Sequence, residues 1–308
     1  MLNLSFTAPV LIDAEVLTQL PHHLRKQTPS SWADANKGGK IIDSFLEGPA
    51  YDRLGNLYVT DIPHGRIFRI TPSLAWELVL EYDGWPNGIA IHADCSVWIA
   101  DYRQGILKLD PASGKLETVL GHRNSESFKG INDLTFDSHG SCYFTDQGQT
   151  GMHDPSGKVY RLSPDGRLDC LVSNAPSPNG LVVDEIAQAL FVAVTRANAI
   201  WRGPMQKDGS VSKMAAFQTF FGTSGPDGLA LDEQGGVAMA HGSLGGAFLM
   251  NARGEVTHYV RSPCGNMVTN LAYIPGTNTL IMAESESGSI LRAELPAKGR
   301  MLYSHQKP

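Results

Sequence analysis

The sequence predicts an all-β fold, a six-bladed β-propeller of four-stranded blades that is closed by an N-terminal strand. A motif in which a polar residue precedes a small residue and an apolar run occurs six times along the 308-residue chain, at spacings of 40–48 residues. Between the motifs lie short β-branched and aromatic runs, separated by Gly, Pro, Asp and Ser, with no sustained helical period. Repeats of this length that contain several short strands are typical of blades arranged around a channel.

Two segments precede the first predicted blade. Residues 10–20 (VLIDAEVLTQL) are apolar enough to supply the outer strand that closes the ring. Residues 21–40 are polar and turn-rich and fit neither a strand nor a blade, so we predict an inserted loop that could act as a lid. Residues 1–308 are predicted to form one propeller domain.

Each predicted blade begins near the polar residue of its motif, which we call the anchor. The anchors are Glu47, Asn87, Asn132, Asn179, Asp227 and Asn270. In several units Asp follows five residues after the anchor and Gly eight after it, and this D-x-x-G pattern predicts a hairpin turn. Fourteen residues after the anchors stand Asp61, Asp101, Asp146, His241 and Glu284, with the fourth unit out of step. This offset predicts that the second strand returns these residues to the same end of the channel.

The anchors suggest a metal site, because the first strand of a propeller blade lines the channel. A ring of neutral and anionic oxygens suits one hard divalent cation, Ca²⁺ first, with Mg²⁺, Mn²⁺, Fe²⁺ or Zn²⁺ as alternatives. Two carboxylates facing one channel would repel each other unless a cation lay between them. Pro-Asn-Gly and Pro-Asp-Gly are also ordinary turn sequences, so for a single anchor the turn interpretation stays open.

Composition excludes several classes of protein. A net charge of -6 and a pI near 5.9 argue against binding to nucleic acid or to an anionic membrane. The sequence begins without the basic and apolar regions of a signal peptide and contains no apolar run long enough to span a membrane, so we predict a cytoplasmic protein. The four cysteines, Cys95, Cys142, Cys170 and Cys264, show no C-x-x-C spacing and are predicted to be buried or half-buried free thiols.

Four motifs, taken in order, resemble those of a known family. They are E-G-P-x-x-D in the first unit, G-x-N-D-x-x-x-D-x-x-G in the third, P-N-G in the fourth and P-D-G-L in the fifth. Together they resemble the SMP-30/gluconolactonase family of six-bladed propellers over residues 41–295, and the segment 130–166 is similar to its drug-responsive lactonase branch. The resemblance implies that Glu47, Asn132, Asn179 and Asp227 hold one divalent metal and that Asp227 helps to activate the nucleophile.

The chain departs from the family pattern at two positions. Sugar-lactone hydrolases of the family place an arginine two residues before the third anchor and a glutamate eighteen after it, whereas this chain has Gly130 and Thr150. The predicted function is therefore metal-dependent hydrolysis of a small-molecule lactone, apolar or aromatic rather than sugar-like. In this mechanism a cation polarises the ester carbonyl and Asp227 acts as base.

Further residues are candidates for contacts with the substrate: Trp85, Asn87, Asp146, His241 and Asn270. Asp146 and His241 are also alternative bases, and the Trp85 ring could either line the pocket or pack between blades. Trp32, His22 and His23 would reach the site only if the inserted segment folds over the channel mouth. Two other functions stay open, a phosphotriesterase-type hydrolase on the same calcium propeller and a non-catalytic propeller that binds a protein.

Overall fold

Six antiparallel sheets form a closed ring in the computed structural model, which describes residues 8–306. Two N-terminal strands, β1 (Val10–Asp13) and β2 (Glu15–Gln19), precede the blades. Blade 1 contains β3 (Leu46–Tyr51), β4 (Leu57–Asp61), β5 (Arg66–Ile70) and β6 (Trp76–Glu81). Blade 2 contains β7 (Pro86–Ile91), β8 (Val97–Asp101), β9 (Gly105–Leu109) and β10 (Leu116–Leu120).

A two-stranded hairpin, β11 (His122–Arg123) and β12 (Glu126–Ser127), separates blades 2 and 3. Blade 3 contains β13 (Ile131–Phe136), β14 (Cys142–Asp146), β15 (Gly157–Leu162) and β16 (Leu168–Ala175). Blade 4 contains β17 (Pro178–Asp184), β18 (Ala189–Val194), β19 (Ala199–Pro204) and β20 (Ala215–Thr219). Blade 5 contains β21 (Pro226–Leu231), β22 (Val237–His241), β23 (Gly246–Met250) and β24 (Val256–Arg261). Blade 6 contains β25 (Val268–Tyr273), β26 (Thr279–Glu284) and β27 (Ser289–Glu294).

The ring closes between blades 6 and 1, which confirms the predicted propeller. The inner strand β25 packs against β3, as each inner strand packs against that of the next blade. The strand β2 pairs antiparallel with β27 and becomes the outer strand of blade 6, as predicted. The closing segment is not one strand, however, because the chain turns at the buried Ala14 and β1 pairs in parallel with β24 of blade 5. Residues 10–20 therefore join two blades.

The hairpins between first and second strands follow the predicted D-x-x-G pattern. In blade 1 the Asp52 carboxylate accepts hydrogen bonds from the backbone of Leu54 (2.8 Å) and Asn56 (2.9 Å). Gly55 has a φ of +81°, a left-handed conformation that favours glycine, and blades 3 and 5 repeat this geometry. The repeated spacing thus encodes a repeated turn.

The inserted segment 21–40 contains short helices that the sequence pattern did not predict. A 3₁₀ turn (His22–Leu24) is followed by the helix α1 (Ser31–Asn36). The Ser30 side chain accepts a hydrogen bond from the Ala33 amide (3.2 Å) and caps α1, which buries Trp32 and Ala33 against Ile62 of blade 1. A helix of one and a half turns has too few residues to show a 3.6-residue period, so its sequence resembles a loop. The proposed movement of this segment as a lid stays a prediction.

A C-terminal strap, residues 299–306, crosses the channel mouth opposite α1. Its residues contact each blade in turn, through the groups Thr277 O, Leu231 O, the Asp184 carboxylate, the Phe136 ring, the His92 ring and Asp52 O. A cavity of about 150 Å³ remains between the strap and the inner strands. The strap thus covers this mouth and links all six blades.

Other features of the described residues bear on the predictions. No helix in the range 8–306 is long and apolar enough to cross a membrane. All four cysteines are free, and Cys142 is buried as predicted, but Cys95, Cys170 and Cys264 are exposed. The predicted domain 1–308 includes residues 1–7 and 307–308, which lie outside the described residues, so the single-domain assignment stays a prediction.

Replacement of Tyr303 by alanine is expected to destabilise the whole ring. The Tyr303 ring packs 5.2 Å from His92 and 5.6 Å from Phe136, measured between ring centroids, and its loss leaves a cavity between blades 2 and 3. Because the ring is half-buried, we expect Tyr303→Ala to lower the free energy of unfolding by about 1–3 kcal/mol, less than for a fully buried aromatic residue. Urea denaturation measures the change, with Met301→Ala as control because Met301 is exposed. Equal stability of the two variants would show that the strap does not contribute.

Candidate active site

Strand pairing defines which residues are equivalent in the six blades. The first paired residue of each inner strand lies opposite the end of the second strand, in the pairs Leu46 with Asp61, Pro86 with Asp101, Ile131 with Asp146, Pro178 with Val194, Pro226 with His241 and Val268 with Glu284. The next residue along each inner strand is Glu47, Asn87, Asn132, Asn179, Asp227 or Thr269. All six line one cavity of about 670 Å³ at a mouth of the channel.

The structure corrects the predicted anchor of blade 6. Thr269 takes the equivalent position, and Asn270 lies one residue deeper, where it lines the cavity beneath the strap. The hairpin of blade 6 is one residue longer than that of blade 5, so counting fourteen residues back from Glu284 reaches Asn270 instead of Thr269. Asn270 therefore does not face the cavity in which we expected it to contact a substrate.

A second layer of residues closes the channel below this cavity. Four blades have glycine at this level, Gly48, Gly88, Gly180 and Gly228, whereas the opposite blades 3 and 6 have Asp133 and Asn270. The Asn270 amide donates a hydrogen bond across the channel to Asp133 Oδ2 (3.4 Å). A Cβ on Gly88 would lie 2.0 Å from Asp133 Oδ1, and one on Gly228 would lie 2.0 Å from Asn270 Oδ1. At Gly88 and Gly228 the small residue of the repeated motif is thus required by the side chains of Asp133 and Asn270, which we call the floor pair. At Gly48 and Gly180 it is required by the close backbone of the next blade.

Hydroxyl groups from neighbouring blades hold the backbone of this region. Thr60, Thr145 and Thr195, each at or just after the end of a second strand, donate hydrogen bonds of 2.8 Å to the carbonyl oxygens of Asn87, Asn179 and Pro226 in the next blade. These bonds fix the backbone positions of the anchors. They also explain the threonine of the LYVTD and CYFTD segments.

Three carboxyl groups share the centre of the channel, of which those of Glu47 and Asp133 are buried and that of Asp227 is half-buried. Burial raises the pKa of Glu47 to about 7, although hydrogen bonds from the Gly48 amide and the Asn270 side chain favour its charged form. Burial and the charge of Glu47 raise the pKa of Asp133 to about 7 as well. Burial, followed by the charges of Glu47 and Asp133, raises the pKa of Asp227 well above its usual range. In the absence of a cation, these groups therefore repel one another when ionised.

The predicted ligands fit a hard cation. The Asn132 side-chain nitrogen donates to Gln147 Oε1 (2.9 Å), and Asn132 Oδ1 is buried without a hydrogen-bond partner in the described chain. A buried oxygen of this kind is normally paired, so this oxygen is available as a ligand to a cation. No three His, Cys, Asp or Glu side chains within residues 8–306 gather in a metal-binding arrangement. Two carboxylates, Glu47 and Asp227, would thus need the amide oxygens of Asn132 and Asn179, and this all-oxygen set suits Ca²⁺.

The residues that follow the anchors by fourteen positions hold loops instead of facing the cavity. Asp101 accepts hydrogen bonds of 2.8 Å from the Arg103 and Gln104 amides, and Asp146 accepts one of 2.9 Å from the Gly130 amide. Asp61 pairs with Arg66 (2.5 Å), and Glu284 accepts a bond from the Ser287 amide (2.9 Å). The second strand does return these residues to this end, but its last side chain points toward the following loop.

His241 and Trp85 also lie outside the cavity lining. Burial lowers the pKa of His241 to about 4, and its Nδ1 accepts a hydrogen bond from the Ser243 amide (3.3 Å). Trp85 packs against Tyr102 and lies beneath the Arg103 guanidinium, which is 5.7 Å from its ring centroid. Of the five predicted substrate contacts only Asn87 lines the cavity, so the geometry gives Trp85, Asp146, His241 and Asn270 supporting positions instead.

Of the residues predicted to reach the site only if the inserted segment folds over the channel mouth, Trp32 lines the cavity and His22 and His23 do not. Phe45, Lys37 and Arg196 were missed by reasoning from the sequence. Trp32 and Phe45 form an aromatic wall, with ring centroids 4.8 Å apart, and Lys37 follows helix α1 with its Nζ 4.6 Å from the Phe45 centroid. Arg196 reaches the cavity from a 3₁₀ turn (Thr195–Ala197) after β18. Burial lowers the pKa of Lys37, while the charge of Asp227 opposes this shift. The Lys37 position had no signal because the inserted segment could not be placed relative to the blades.

The fold and the cavity together define the class of this protein: a six-bladed β-propeller with a buried oxygen-donor site at the channel mouth. The chain belongs to the SMP-30/gluconolactonase/LRE-like family, whose model matches residues 45–286. This confirms the resemblance found in the sequence.

Relatives in this family carry lactonase names. The lactonase drp35 of Staphylococcus aureus (strain MRSA252) is 28% identical over 306 residues, which cover 92% of each chain. The gluconolactonase of Zymomonas mobilis is 28% identical over 275 residues, 79% of this chain and 77% of its own. Two solved structures support the fold. Regucalcin, a calcium-binding protein of Agrobacterium tumefaciens, has a TM-score of 0.77 at 17% identity and covers 97% of this chain and 100% of its own. A gluconolactonase of Xanthomonas campestris has a TM-score of 0.74 at 20% identity and covers 92% of this chain and 99% of its own.

The stability of the metal-free protein is expected to fall as the pH rises from about 4.5 to about 7. In the unfolded chain Glu47 loses its proton near the usual value of 4.5, whereas in the folded protein it keeps the proton until a pH of about 7. Between these values the folded state binds more protons than the unfolded state. The contribution of Glu47 to the free energy of unfolding is therefore greatest below pH 4.5 and is lost as the pH rises through 7. Urea denaturation at several pH values measures the slope.

Glu47→Gln should flatten this slope, and the exposed Glu126→Gln is the control. Saturating Ca²⁺ should also flatten the slope, because a cation stabilises the ionised carboxylates. A metal-free protein whose stability is the same at pH 5 and pH 8 would contradict this account of the buried carboxyl groups.

Proposed function

We propose that this protein hydrolyses a lactone with the help of one divalent cation, which Glu47, Asn132, Asn179 and Asp227 hold. The observation that carries the proposal is that the buried carboxylate of Glu47, the half-buried carboxylate of Asp227 and the unpaired amide oxygen of Asn132 belong to residues lining one cavity, which is large enough for a small molecule. Membership of a family whose relatives are named lactonases supports the reaction. Ca²⁺ is the preferred ion because every donor is an oxygen. When bound, such a cation polarises the ester carbonyl as a Lewis acid.

Asp227 is the proposed base that removes a proton from the attacking water. It lines the cavity, whereas the alternative bases Asp146 and His241 do not. A hydrogen bond from the Asn179 side chain favours the charged form of Asp227 and orients it. Asp133, just below, adds a negative charge that increases the proton affinity of Asp227, and a base with higher proton affinity accepts the proton more readily.

The body of the substrate is proposed to be apolar or aromatic. Gly130 stands where sugar-lactone hydrolases have arginine, and a Cβ on Gly130 would lie 2.4 Å from the Tyr102 ring, so Tyr102 occupies that space. The Thr150 hydroxyl, at the position of the missing glutamate, donates to Gln147 O and accepts from the Ser177 amide. Neither position can therefore pair with sugar hydroxyls, and each buried hydroxyl left unpaired costs about 1–3 kcal/mol. The aromatic wall of Trp32 and Phe45 instead offers apolar contact.

Removal of metal is expected to abolish ring opening of dihydrocoumarin, an aromatic lactone. A chelator followed by desalting should give inactive protein with a lower melting temperature, and Ca²⁺ or another divalent ion should restore both. The phosphotriester paraoxon serves as the comparison substrate, and faster turnover of paraoxon would favour the phosphotriesterase alternative. Full lactonase activity in protein shown by elemental analysis to be metal-free would overturn the proposed site.

Asp227→Asn is expected to lower kcat by about 10²–10⁴-fold at saturating metal, because it keeps one oxygen ligand but removes the base. Asn179→Asp is the matched variant, since it also exchanges an amide and a carboxylate within the proposed ligand set. It should bind metal at least as well as the wild type and lose less activity. If metal-loaded Asp227→Asn kept nearly the wild-type kcat, Asp227 would be a ligand only.

A further inference from the structure

Two cationic side chains, Lys37 and Arg196, line the proposed substrate cavity. They come from separate parts of the chain, Lys37 from the residue after α1 and Arg196 from the turn after β18. Burial lowers the pKa of Lys37, the charges of Asp227 and Glu286 oppose this shift, and the charges of Arg196 and Lys40 add to it. The cavity thus carries two positive charges on its wall in addition to the carboxylates at its base.

Neither cation forms an ion pair within the described residues. The Lys37 ammonium lies over the Phe45 ring (4.6 Å to the centroid) and near the Trp32 ring (5.7 Å). Arg196 donates one long hydrogen bond, of 3.4 Å, to the Thr223 carbonyl oxygen. Arg196 is exposed and Lys37 is half-buried, so most of their donor groups are available to a ligand. A half-buried cation such as Lys37 is normally paired.

The charge balance of the cavity changes once the proposed cation binds. A divalent ion would cancel the negative charges of Glu47 and Asp227. The positive charges of Lys37, Arg196 and the nearby Lys40 then exceed the negative charges of Asp133 and of Glu286, which also acts on Lys37. In a chain with a net charge of -6, this local positive excess favours an anionic ligand.

We propose that the substrate is a lactone that carries a carboxylate substituent, which Lys37 and Arg196 bind. A guanidinium matches a carboxylate in bidentate geometry, and an ammonium adds a further charged hydrogen bond. The apolar ring of the lactone would lie against Phe45 and Trp32, whose rings also support the Lys37 ammonium. This inference rests on the proposed lactonase function and narrows its substrate class.

The test compares two γ-butyrolactones that differ in charge alone, 5-oxotetrahydrofuran-2-carboxylate and its carboxamide. Ring opening by the metal-loaded protein is followed through proton release, with gluconolactone as a neutral, polyhydroxylated comparison. We expect kcat/KM to be about 10–100-fold higher for the carboxylate, the factor that one or two charged hydrogen bonds supply. This preference should shrink as the salt concentration rises.

Lys37→Met and Arg196→Met remove the charges and keep most of the apolar stems. Each variant should lose about 10-fold or more of kcat/KM for the carboxylate, mainly through KM, and should lose less for the carboxamide, so that the ratio of the two kcat/KM values falls. Lys207→Met is the control, because Lys207 is exposed, does not line the cavity and is not among the charges that act on Lys37. Calorimetric binding of tetrahydrofuran-2-carboxylate, which cannot be hydrolysed, gives a second measurement in the same proteins.

The outcomes distinguish this inference from the function on which it rests. Equal turnover of carboxylate and carboxamide, unchanged by Lys37→Met and Arg196→Met, would overturn the inference and leave the lactonase function intact. Absence of ring opening with every lactone would contradict the lactonase function. Calorimetry would then decide the anion site: binding that both variants weaken supports the site, and absence of binding overturns it.

Discussion

The close approach of six inner strands around a narrow channel is the constraint on which this structure depends. At the level of the floor pair only two side chains fit, Asp133 and Asn270, and they come from opposite blades and bond across the axis. The glycines of the neighbouring blades leave the space that these side chains fill. A substituted glycine would push two blades apart, and in a closed ring a displacement between two blades must be taken up by the others.

The same closure brings three carboxyl groups together at buried and half-buried positions in the channel. Glu47, Asp133 and Asp227 are brought together by three different blades, and burial raises the pKa of each. Burying unpaired carboxylates opposes folding, and the energy for holding them comes from the β-sheet cores of the blades. Such an arrangement is typical of functional sites, where strongly perturbed groups lie in a cavity. The features that make the empty site unfavourable are those that would make it bind a cation.

The two ends of the channel are closed differently, and this asymmetry gives the molecule one accessible site. At one end the strap lies across the inner strands and contacts all six blades. At the other, α1 covers only part of the mouth and leaves a cavity of about 670 Å³. Because α1 adds Trp32 and places Lys37 on the wall, the segment outside the repeat supplies an aromatic ring and a positive charge that the blades do not provide at these positions.

The sequence by itself determined the number of blades, the hairpin turns and five of the six anchors, because each depends on residues close together in the chain. A D-x-x-G turn or an alternating apolar strand has the same local physics wherever it occurs. The predicted anchor of blade 6 was wrong, because one extra residue in its hairpin puts Thr269 in the position that the fixed spacing assigned to Asn270. Tertiary structure alone decided which polar groups share the cavity. Asp146 and His241 keep the predicted spacing yet point into loops, whereas Lys37 and Arg196, from unrelated segments, line the same cavity. Side-chain direction and long-range proximity arise from packing between blades, and no local pattern encodes them.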